Sequence, residues 1–254
     1  MTIIKRIAVI FFPLLLLIGL ELLFLKIELV YILFVVCLLI LLLSLKLLIK
    51  EKVLSKIFFY LSVLPLLLYI FTYSFLLFVS SVNIRHLVII SFCLLMVIYL
   101  ENLFLYYFYQ KYYKPNSLEN ISALFNLLIF FLVIISLNAF YIFINLPIWM
   151  LSLVLIIVMI LMIYQAYWIN KIKSNYKLIY LIAIIILILE FFWSIAFLPA
   201  NFYLNSIILT ILYYCIWGLL KGKLSDRFEK KMVWRYSVIS LILIAVVIFT
   251  SRWT

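Results

Sequence analysis

The chain has 254 residues, of which 71% are hydrophobic and 11% are charged, and its mean hydropathy is +1.42. Because roughly half of the residues of a soluble globular protein are apolar, a soluble fold is excluded and part of the apolar surface must face lipid. Lys and Arg outnumber Asp and Glu by 20 to 8, a balance that would indicate nucleic acid only in a soluble protein.

Nine apolar runs follow one another along the chain, each close to the roughly 20 residues that cross a bilayer as a helix. Backbone groups in lipid must be satisfied within their own segment, so the sequence predicts an all-α polytopic membrane bundle in a single domain, 1–254. The first run carries Glu21 near its end and the ninth is short, so eight spans are the alternative. The predicted spans are 7–25, 29–48, 57–79, 87–108, 121–143, 148–168, 178–197, 202–220 and 236–251.

The basic residues lie on alternate turns between these runs, and this pattern predicts the orientation. If the N-terminus is cytoplasmic, Lys26, Arg85 and Arg252 are the three of the 20 basic residues that fall outside. The positive-inside rule therefore predicts a multi-pass protein with a cytoplasmic N-terminus and an external C-terminus. The same distribution explains the net charge of +12 without any nucleic-acid partner.

Two carboxyl groups lie inside predicted spans: Glu190 in "ILILEFFWS" (186–194) and Glu101 in "VIYLENLFL" (97–105). At about 1.5 Å per residue, Glu190 lies about 4 Å beyond the midplane and Glu101 about 5 Å on its cytoplasmic side. A charge near the centre of a span costs roughly 2.5–3.5 kcal/mol on insertion scales. Two interpretations follow: a proton or ligand site in a polar cavity, or a neutral carboxyl that is hydrogen-bonded to a neighbouring helix.

Other polar side chains at membrane depth could share an intramembrane polar site with these carboxyls or bond to them. They are Asn102, Asn126, Asn138 and Gln165.

A short pattern recurs once in each third of the spans, which is consistent with three units of three helices or with chance in a chain so rich in Leu and Phe. The three copies are "LELLF" (20–24), "LENLF" (100–104) and "LEFFW" (189–193).

Residues for metal binding and catalysis are sparse. The single histidine, His86, is predicted to be an interfacial residue, and the three cysteines lie apart within apolar runs. No spacing typical of a zinc site, a P-loop or a hydrolase is present. The sequence therefore predicts no catalytic residues, no metal and no cofactor.

The second half resembles an uncharacterised family of bacterial multi-pass membrane proteins, a domain of unknown function. The resemblance covers mainly residues 189–236 and rests on "LEFFWSIAFLPANFYLN", "LYYCIWGLLKGKL" and "WRY". It implies a helical protein of the bacterial inner (plasma) membrane and no known activity.

These observations favour a non-catalytic membrane component or scaffold subunit, surrounded by the lipid bilayer and associated with other membrane subunits. The oligomeric state stays open. The alternative is a small transporter in which Glu101 and Glu190 line a polar path. An enzyme of unrecognised type that faces lipid is the third possibility.

Overall fold

The computed structural model describes residues 2–25, 27–53, 55–172, 176–197, 201–224 and 229–250. Across these residues the chain forms nine α-helices and no strand, which confirms the all-α prediction. Short 3-10 segments precede α2 and follow α4. The helices are α1 (Thr2–Leu25), α2 (Val30–Leu48), α3 (Lys56–Leu76), α4 (Val82–Phe108), α5 (Ser117–Ile144), α6 (Ile148–Ile169), α7 (Lys177–Ala196), α8 (Phe202–Leu224) and α9 (Lys230–Thr250).

Eight of these helices, α1 to α8, are long and apolar enough to cross a membrane. The chain therefore has the composition and helix lengths of a multi-pass membrane protein. The ninth predicted span corresponds to α9, of 21 residues, and its crossing stays a prediction. The fourth helix begins at Val82 rather than near residue 87, because no Gly or Pro interrupts its first turns.

The helices form two compact units, residues 1–125 and 126–254, with the boundary inside α5. In unit 1, α1 packs against α2 and α4. Two contacts at opposite ends show that α1 and α4 are antiparallel: Lys5 meets Phe108, and Glu21 meets His86.

A small residue on α1 permits its close approach to α2, and a hydrogen bond joins α2 to α3. Gly19 of α1 is buried against α2, where a Cβ atom at this position would overlap with Sγ of Cys37. The Tyr69 hydroxyl of α3 donates to the Phe34 carbonyl of α2 at 2.9 Å. Small side chains let membrane helices approach closely, and hydrogen bonds then hold them together.

In unit 2, consecutive helices from α6 to α9 pack against one another. The second half of α5 joins α8 through stacked rings, since the centroids of Phe130 and Tyr213 are 4.1 Å apart. Gly218 of α8 faces α9, where a Cβ atom would overlap with the ring of Tyr236.

Candidate intramembrane polar site

The six polar residues that the sequence singles out are divided between the two units. Glu101 and Asn102 belong to α4 in unit 1, whereas the others belong to α5, α6 and α7 in unit 2. Within each unit they have separate surroundings, which are described in turn.

A groove between α6 and α7 contains Glu190. It has a volume of about 570 Å³. Glu190 is exposed, and it lies six residues before the end of α7 at Ala196, or about 9 Å along the helix axis. The groove is lined by Trp149, Ser152, Ile156, Ile186, Leu189, Glu190, Trp193 and Ser194.

Hydrogen bonds fix one wall of this groove. The Trp193 indole Nε1 donates to Ser152 Oγ at 2.7 Å, and this hydroxyl in turn donates to the Ile148 carbonyl at 2.8 Å. The Trp193 ring of α7 is thus tied to the backbone of α6. Near Glu190, the Ser194 hydroxyl donates to the Glu190 backbone carbonyl at 2.7 Å. This hydrogen bond does not involve the Glu190 carboxyl group.

The Glu190 carboxyl therefore differs from the hydrogen-bonded group that one sequence interpretation expects. Among the described residues, no Asn, Gln or Tyr side chain forms a hydrogen bond to it, and no cation lies within 4 Å. The reason is geometric, because Glu190 is on the open side of α7 while Ile188 and Phe192 are on its buried side. A charged group at this depth in lipid is costly.

The neutral polar residues of unit 2 are buried, and some of them join helices. Asn138 of α5 donates from Nδ2 to Ser206 Oγ of α8 at 3.1 Å, and Asn205 donates to the Ile195 carbonyl of α7 at 3.3 Å. Gln165 is fully buried. Asn126 is buried too, and its Oδ1 has no hydrogen-bond partner within the described part of the chain.

In unit 1, Asn102 has a structural position. Its Nδ2 donates to the Ile98 carbonyl at 2.8 Å, and its Oδ1 accepts a hydrogen bond from the Ser117 hydroxyl at the start of α5. The neighbouring Glu101 is partly exposed. Thus Asn102 connects the end of α4 to the next helix, while the adjacent carboxyl takes no part in that connection.

Sequence reasoning missed one polar cluster, at the end of unit 1 where α1 finishes and α4 begins. His86 Nδ1 and Glu21 Oε1 are 2.8 Å apart. Arg85 donates from Nε to the Val79 carbonyl at 2.6 Å, and its guanidinium lies 4.4 Å from the centroid of the Phe24 ring. The orientation predicted from the sequence places the end of the first span and the start of the fourth on the external side. This shared side was the sequence feature that could have indicated the pairing of His86 with Glu21.

The described residues include no group of three or more His, Cys, Asp or Glu side chains that could hold a metal ion. The groove between α6 and α7 offers one carboxyl group and two indole rings for contacts with a bound group.

Comparisons with protein-family models, curated proteins and solved structures return no match. The resemblance of residues 189–236 to a bacterial family stays a prediction, and its segments 198–200 and 225–228 lie outside the described residues.

Proposed function

We propose that this chain is a non-catalytic component of a membrane assembly and that the groove between α6 and α7 is where a partner binds. The observation that carries the proposal is the exposed carboxyl of Glu190 in an otherwise largely apolar groove. The partner is a transmembrane segment of another protein that carries Lys or Arg at matching depth. An ion pair within the bilayer would offset the cost of exposing either charge to lipid.

Aromatic rings support a cationic partner. Trp149 and Trp193 line the same groove as Glu190. The negative face of an indole ring attracts a cation, and Trp is the strongest of the aromatic side chains in this respect. A second copy of this chain fits less well, because the described spans offer no basic residue near the middle of a helix that could meet Glu190.

The size of the protein in gently solubilised native membranes tests this proposal. The wild-type chain, of 30.3 kDa, is expected to migrate within a larger complex that contains a second protein. Glu190→Gln removes the charge but keeps the shape, and should release the chain from that complex. As a matched control, Glu119→Gln removes a carboxyl from the first turn of α5 and should leave the complex intact. A wild-type chain without a partner, or a Glu190→Gln variant that stays in the complex, would refute the proposal.

The second candidate is a small transporter, which is favoured by the two membrane-depth carboxyls without a hydrogen bond or ion pair among the described residues, Glu101 and Glu190. A transporter should carry protons or cations across the membrane of reconstituted vesicles, and both Glu101→Gln and Glu190→Gln should abolish this flux. Flux that disappears in both variants would favour the transporter over the partner-binding component. Absence of flux in the wild-type protein would refute the transporter.

A further inference from the structure

Two lysines converge on a single aromatic ring at one end of unit 1. Nζ of Lys5 lies 4.2 Å from the centroid of the Phe108 ring, and Nζ of Lys50 lies 4.7 Å from the same centroid. Lys5 is near the start of α1, Lys50 follows the end of α2, and Phe108 is the last residue of α4. Three segments that are distant in sequence thus form what we call the Lys5–Lys50 site.

Packing holds the ring at this site in place. Phe104, one turn earlier on α4, is fully buried and stacks on Phe108 with the ring centroids 5.6 Å apart. Phe104 also contacts the ring of Tyr109, at 5.3 Å between centroids. The ring against which both lysines lie is therefore held by contacts within α4 and with the residue that follows it.

Neither ammonium group at the Lys5–Lys50 site forms an ion pair within the described part of the chain. Both ammonium groups lie near one centroid, so they are less than about 10 Å apart and repel one another. Glu51 follows Lys50 and is exposed, and it forms no ion pair with either lysine. Among the described residues, the one ion pair within 4 Å is that of His86 and Glu21. An anion bound close to these ammonium groups would offset their repulsion.

We propose that the Lys5–Lys50 site binds the phosphate group of an anionic lipid. Lysine binds phosphate as a point charge, and basic residues at the cytoplasmic end of membrane helices attract anionic headgroups. The site lies at the helix ends for which the positive-inside rule predicts the cytoplasm. Free phosphate offers the same chemistry, but the position at the ends of three spanning helices favours a headgroup. This inference concerns unit 1 and is independent of the partner proposed for unit 2.

Native mass spectrometry of the purified full chain tests the site. The protein is transferred into mixed micelles with equal amounts of phosphatidylglycerol and phosphatidylcholine, and the ratio of the bound lipids is measured. The wild-type chain should prefer phosphatidylglycerol. The double variant Lys5→Gln/Lys50→Gln should lose that preference by a factor on the order of ten, since each lysine near an anionic surface contributes several-fold. Phe108→Leu, which keeps both lysines but removes their common ring, should lose part of it.

The matched control is Lys111→Gln/Lys114→Gln, which removes the same charge from two exposed lysines on the same predicted side of the membrane. This control should keep the wild-type preference. Equal losses in the two double variants would show a general charge effect and overturn the proposal, as would a wild-type chain without preference. A further arm adds inorganic phosphate at constant ionic strength. Displacement of phosphatidylglycerol by phosphate, but not by chloride, would show that the site binds free phosphate and would overturn the proposal of a lipid ligand.

Discussion

Two similar acidic segments, one from each unit, have different surroundings. In unit 1, Glu21 of "LELLF" lies near the end of α1 and meets His86 of α4 at 2.8 Å. In unit 2, Glu190 of "LEFFW" lies about two turns inside α7, in an open groove. Both segments begin with Leu-Glu and continue with three large apolar residues, so the difference comes from depth and from the neighbouring helix. The carboxyl near the helix end has a polar partner in its own chain, while the deeper one on an open face has none among the described residues.

Helix packing in unit 1 gives the largest expected effect. Gly19→Ala places a Cβ atom where Sγ of Cys37 lies, so it should destabilise the purified protein by about 1–3 kcal/mol, as expected for overpacking. Thermal or denaturant unfolding in detergent measures the loss. In a Cys37→Ala background the same Gly19→Ala change should cost almost nothing. An equal cost in both backgrounds would mean that the close approach of α1 and α2 is not what Gly19 permits.

The two carboxyls should respond to replacement by leucine with opposite signs. Glu190→Leu removes a lipid-exposed carboxyl and should stabilise the isolated chain by about 2 kcal/mol, because it relieves much of the cost of a charge in a span. Glu21→Leu breaks the pair with His86. Because the Glu21 side chain is 31% exposed and the His86 side chain 51% exposed, this loss should cost less than about 1 kcal/mol. Unfolding of both variants in the same detergent checks this. A Glu190→Leu variant less stable than the wild type would show that Glu190 already has a stabilising partner within the chain.

Two asparagines of α5 sharpen the distinction between polar groups with and without partners. Asn138→Leu removes the bond to Ser206 and should cost about 0.6 kcal/mol, and at most about 2. Asn126→Leu removes a buried carbonyl without a hydrogen-bond partner among the described residues, so it should be neutral or stabilising. Both are read from the unfolding midpoint. A larger cost for Asn126→Leu than for Asn138→Leu would contradict this and would mean that Asn126 forms a stabilising hydrogen bond.

The fold could be predicted from the sequence because the physical rule is strong. In lipid, a run of about 20 apolar residues satisfies its backbone hydrogen bonds by forming a helix. Helix ends were less predictable. The rule for crossing lipid does not state where a helix stops in water, and α4 starts at Val82, within the predicted external turn.

The candidate site was less predictable than the fold. Depth along a span identified Glu190, but the face of α7 on which it lies depends on how α6 and α8 pack, and near-uniform hydrophobicity hides that face. The pairing of Glu21 with His86 required knowledge that α1 and α4 are antiparallel neighbours. Convergence of Lys5 and Lys50 on Phe108 required the same knowledge.

Site-specific photocrosslinking in native membranes tests the binding role of the groove most directly. A photoreactive amino acid replaces Ile186, which lines the groove and is 51% exposed, or Ile157, which is 59% exposed on α6 and does not line it. We expect a discrete adduct from position 186 with a protein that carries Lys or Arg within an apolar segment, and we expect Glu190→Gln to abolish it. Position 157 should give no such adduct. Equal adducts from both positions, an adduct with a second copy of this chain, or an adduct that persists in Glu190→Gln would contradict the account.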